Sequence, residues 1–78
     1  MERRHPTLDR ITFDPEKCTG KACIRGMRVT VESLVRYLAA GMTHAEILTE
    51  WPDLEEDDIR QALAYAAWSA SDKVLEVA

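Results

Sequence analysis

The chain has 78 residues, 46% of them hydrophobic and 6% aromatic. That composition excludes disorder for most of its length and suits one small domain with a thin stability margin. No apolar run approaches the roughly 20 residues of a membrane span, and Met1-Glu2-Arg3-Arg4-His5-Pro6 is not followed by a signal-peptide core, so a cytoplasmic protein is expected. The net charge of −4 is uneven: residues 1–36 carry eight Lys/Arg against five acids, and residues 37–78 carry two against nine. Only the N-terminal part is therefore suited to phosphates.

Residues 1–9 read as a mobile arm. Ile11 and Phe13 alternate with polar neighbours in Arg10-Ile11-Thr12-Phe13, a short strand that Asp14-Pro15 stops. Ala22-Cys23-Ile24 and Arg28-Val29-Thr30-Val31 are β-prone runs separated by Arg25-Gly26-Met27, and Gly26 supplies the positive φ of a tight turn, so a hairpin is expected. Val31, Leu34, Val35 and Leu38 then repeat with helical spacing. Gly41 and Met42 close that helix as a left-handed cap and its apolar follower. Thr43 and Glu46 form a capping box for a second helix, ended by Trp51-Pro52.

The third helix begins near Glu55 or Glu56, where acids complement the helix dipole and Leu54 and Ile59 can staple the entry. Ile59, Ala62, Leu63, Ala66 and Ala70 form its buried stripe. The expected fold is mainly α: a strand and hairpin over 10–31, then three helices of about ten, seven and fifteen residues over 31–72, arranged as a helix-turn-helix. Residues 73–78 are a tail.

Asp14-Pro15, Gly20-Lys21, Ile24-Arg25-Gly26, Arg28-Val29, Gly41-Met42-Thr43, Trp51-Pro52-Asp53-Leu54 and Ala64-Tyr65-Ala66 follow one another in an order that resembles the domain of unknown function 433 family, often grouped with VapB-type antitoxins. The likeness runs from Ile11 to about Ala67. The chain departs from that pattern with Thr19 in place of a second glycine, Ala22 in place of proline, Met27 in place of threonine, and Glu55 in place of a Thr/Ser cap. The resemblance implies a homodimeric, homeodomain-like regulator that restrains a PIN-like toxin and represses their shared operon by binding operator DNA.

Candidate DNA contacts are the hairpin residues Lys21, Arg25 and Arg28 with Arg36, the second-helix residues Thr43 and His44, and Arg60, the one base of the third helix; Arg3, Arg4 and Arg10 could serve as a minor-groove arm. Glu55-Glu56-Asp57-Asp58 oppose this at the end of the third helix that would enter the groove. The plainer reading makes Arg25 and Arg28 solvated turn charges or partners of Asp14 and Glu32. Candidate protein contacts are Gln61, Tyr65 and Trp68 on a spare face of the third helix, with Ile11 and Phe13 on an open strand edge. The plainer reading has one of the two aromatics capping the core edge beneath the N-terminal strand.

Cys18 and Cys23, spaced C-x4-C, lack the tighter knuckles and four committed ligands of structural zinc, and a reducing compartment keeps them as thiols. No nucleophile-and-base set or phosphate-cradling loop is legible. The sequence thus points to a non-enzymatic regulator of the antitoxin kind, without metal, cofactor or small-molecule substrate. The alternative is a protein-interaction and dimerisation module of helix-turn-helix shape that binds no DNA.

Overall fold

The structure, a computed structural model, describes residues 2–71; the expected tail 73–78 and the end of the expected bundle at residue 72 lie outside the described residues. In chain order the elements are β1 (Arg3–Arg4), β2 (Ile11–Asp14), β3 (Lys17–Ile24), α1 (Val31–Ala39), α2 (His44–Glu50) and α3 (Glu56–Ser71). The strands form one antiparallel sheet in the order β1-β2-β3. With 46% of the described residues helical and 21% in strands, the fold is mixed α and β, and the expectation of a mainly α, homeodomain-like helix-turn-helix chain is corrected.

The correction comes from strand pairing. Asp14-Pro15, expected only to stop the first strand, continues through Glu16-Lys17 as a turn into β3, and Asp14 Oδ1 accepts from the Glu16 N–H at 2.9 Å to hold the bend. Ile11 then faces Ile24 and both are fully buried, an apolar cross-strand pair that fixes the register. The Arg25-Gly26 turn does form, with φ of +44° and +71° and the Met27 N–H bonded to the Ile24 carbonyl at 2.7 Å. Beyond it the expected second arm makes a single bridge, Cys23 to Thr30. Thr30 is instead the cap of α1, its Oγ1 accepting from the Ser33 N–H at 3.0 Å. Residues 1–9, expected as a free arm, contain β1, where Arg3 faces Phe13 and Arg4 faces Thr12.

The helices follow their local signals. Gly41 sits at φ +103°, the Gly41 N–H bonds to the Leu38 carbonyl and the Met42 N–H to the Tyr37 carbonyl, which is the Schellman pattern. The Thr43–Glu46 capping box is present in both directions. Leu54 and Ile59, flanking the start of α3, are both buried. α1 packs on α3, and Ile11, Ile24, Val31, Leu34, Ile47, Leu54, Ile59 and Ala62 fill the space between helices and sheet. Among the described residues, no helix is long and apolar enough to cross a membrane.

Candidate functional site

The start of α3, which a helix-turn-helix protein would offer to DNA, is bound to the sheet. Asp58 is fully buried. Its Oδ1 accepts from Arg10 Nη1 at 2.9 Å and Arg25 Nε at 3.0 Å, and its Oδ2 accepts from Arg25 Nη2 at 2.8 Å and the Glu55 N–H at 2.8 Å. Glu55 precedes the first helical residue, so Asp58 also supplies the returning half of a capping box. Burial alone would raise the Asp58 pKa, but hydrogen bonds from Arg25, the Glu55 backbone and Arg10 outweigh it and hold the carboxyl below the usual range. Arg10 also pairs with Glu55 at 2.7 Å, while Arg25 Nη2 donates to the Asp53 carbonyl at 2.7 Å.

Gln61 extends this lock. Its Oε1 accepts from the Arg10 N–H and its Nε2 donates to Asp9 Oδ1, each at 2.8 Å. Gln61 and Arg25, expected to face a partner and DNA respectively, are thus engaged in joining β2 and its flanks to α3, although the Arg25 side chain stays 37% exposed. Lys21 and Arg36 both reach Glu32, at 3.3 and 2.9 Å, but these pairs are solvent-exposed and exchange easily for other partners. Thr43 is spent on its cap, His44 contacts Glu56, and Arg60 lies against Asp57. Among the described residues, the side chains of Arg3, Arg4 and Arg28 make no ion pair.

The expected open edge at Ile11 and Phe13 is corrected: β2 is the central strand, and Ile11 belongs to the core. Phe13 is half-buried beneath Tyr65, with ring centroids 5.9 Å apart. Tyr65 is the aromatic that caps the core edge. Trp68, one turn further on, remains 53% exposed. It is held in place, since the His5 ring meets Tyr65 at 5.7 Å and Trp68 at 5.5 Å, both edge-on. Behind these rings, Ala66, Ser69 and Ala70 of α3, Val31 and Val35 of α1 and Ala22 of β3 line an open, largely apolar groove of about 640 Å³, with Lys21, Glu32 and Arg36 on its rim. Sequence reasoning missed the groove, although small α3 residues spaced along one face signal a close approach that the neighbours need not fill.

These features define a small module in which a three-stranded ribbon is locked by arginines to the last of three helices, with an aromatic anchor and an apolar groove beside that helix. The chain belongs to the family described as protein of unknown function DUF433, whose profile matches residues 11–66. It is similar to a DUF433 member from Anabaena variabilis of known crystal structure, at 32% identity and a TM-score of 0.76, over 81% of this chain and 62% of that one. It is also 36% identical over 56 residues to the uncharacterized protein y4eO of Sinorhizobium fredii. That match spans 72% of this chain but only a quarter of the relative's length.

Proposed function

We propose that this chain is a non-catalytic protein-binding module whose working face is the C-terminal half of α3 and the groove beside it. One observation carries the reading: Trp68, a large aromatic, stays 53% exposed while neighbouring rings fix its orientation. An ordered, half-solvated tryptophan gains most when a second polypeptide covers it, and its ordering cost is already met. The buried polar groups have structural duties. Asp58 is saturated by Arg10, Arg25 and the Glu55 N–H and so is a poor general base.

Within this reading, the family likeness favours an antitoxin-like role in which the face captures a PIN-like toxin or a second copy of the chain. Trp68→Ala is expected to weaken association by about 2 kcal/mol while leaving the urea midpoint of the monomer nearly unchanged. Light scattering of the chain alone, and calorimetric titration with a PIN-like toxin, measure the two cases. Undiminished mass together with undiminished toxin affinity would remove the assignment. Operator binding is a second reading. It is favoured by the ion-pair-free Arg3, Arg4 and Arg28 and by the exchangeable Lys21 and Arg36.

A further inference from the structure

We propose that Cys18 and Cys23 form a redox-active dithiol pair that closes to an intramolecular disulfide when the chain meets a small-molecule disulfide oxidant. Extended strand would hold residues five apart far from one another, but this strand is interrupted. In the ladder between β2 and β3, Phe13 faces Ala22 while the next residue, Asp14, faces Lys17. A single step on β2 therefore spans five on β3, and Lys17 and Ala22 are brought side by side while Cys18 to Lys21 bulge out. The reversal is made by three successive left-handed residues, Cys18 at φ +52°, Thr19 at +54° and Gly20 at +80°. Cys18 and Cys23 each follow one of the juxtaposed residues.

Both cysteines also border the same segment. Cys18 Sγ donates to the Arg28 carbonyl at 3.5 Å, and the Cys23 backbone is bridged to Thr30 two residues on, while Cys23 Sγ donates to the Lys21 carbonyl at 3.3 Å. Their exposures differ in the way a two-step exchange needs: Cys18 is half-exposed and Cys23 is 2% exposed. The Cys18 thiolate attacks one sulfur of oxidised glutathione and expels a glutathione thiolate. The Cys23 thiolate then attacks the Cys18 sulfur of the mixed disulfide and expels the second. The two cysteine protons end on two glutathione thiols, and the two electrons lost by the protein reduce the reagent. Lys21, between the cysteines, stands on the groove rim, so closure would fix that rim.

Burial keeps Cys23 protonated at neutral pH, its pKa raised to about 11. The second step is therefore expected to accelerate about tenfold per pH unit through the mildly alkaline range, as the thiolate fraction rises. The test incubates the full chain with oxidised glutathione, traps remaining thiols with maleimide and reads intact mass. The expected product is a monomer lighter by two hydrogens that takes no maleimide, reversed by dithiothreitol. Cys23→Ser should stop at one glutathionyl adduct, and Cys18→Ser should leave Cys23 reduced. A wild-type chain that accumulates the glutathionyl adduct, forms intermolecular disulfides, or keeps two maleimide-reactive thiols would overturn the proposal; these readouts on the wild type hold even if a variant misfolds.

Discussion

Asp58 shows how little a residue's type reveals about its duty. In the sequence it is the last of four consecutive acids, of which Glu55, Glu56 and Asp57 remain on the surface. In the fold it is sealed and bracketed by two guanidinium groups. Removing one partner of a buried ion pair leaves the rest uncompensated, so Asp58→Asn is expected to cost about 3 kcal/mol, read from urea denaturation at neutral pH. A loss under about 1 kcal/mol would mean that the arginines find equal solvation without it. Because the folded Asp58 pKa is depressed, its contribution is complete above the unfolded value near 4 and is lost as pH falls from there through the folded value. Acid titration of stability should accordingly be steeper below about pH 4 in the wild type than in Asp58→Asn. The run of acids after Leu54 was legible as a helix start. The two arginine partners of Asp58 were not, since Arg10 and Arg25 lie 48 and 33 residues away in sequence and chain distance carries no signal.

At the scale of elements, local signals succeeded where the determinants are local. Thr43 with Glu46, Gly41 with Met42 and Leu54 with Ile59 each act within a few residues, and each forms as its spacing implies. The sheet was less legible because its partners are set by distant residues. Arg28-Val29-Thr30 lies along the edge of β3 opposite β2, since Cys23 pairs with both Thr12 and Thr30, but Thr30 leaves the ladder after that single bridge to cap α1. Left-handed backbone at Cys18, Thr19 and Arg25 was likewise illegible, as none is glycine. Thr19 stands where the family pattern has glycine, and its φ of +54° is the conformation glycine would adopt. A β-branched residue there is strained, so Thr19→Gly is expected to stabilise the ribbon by about 1 kcal/mol. An unchanged or lower urea midpoint would show that the bulge holds Thr19 without strain.

For the molecule as a whole, the basic N-terminal part and the acidic C-terminal part meet at one seam. Arg10 and Arg25 are drawn to the start of α3, so two of the eight N-terminal bases neutralise the chain's own acids. Arg25→Glu is consequently a test of folding, and Arg28→Glu is the cleaner probe of nucleic acid. If the chain binds operator DNA, the described bases that make no ion pair, Arg3, Arg4, Lys17 and Arg28, contribute about four phosphate contacts per chain, which gives a log–log salt dependence of about −4 per chain. Affinity should then fall by about 150-fold between roughly 50 and 200 mM salt, and Arg28→Glu should flatten the slope by about one. A steeper slope per chain would mean that Lys21 and Arg36 leave Glu32 for the backbone, which Lys21→Ala with Arg36→Ala would reverse. Absence of any binding at low salt would leave α3 and its groove as the docking face, because the bases outside the seam would then be shown not to engage phosphate.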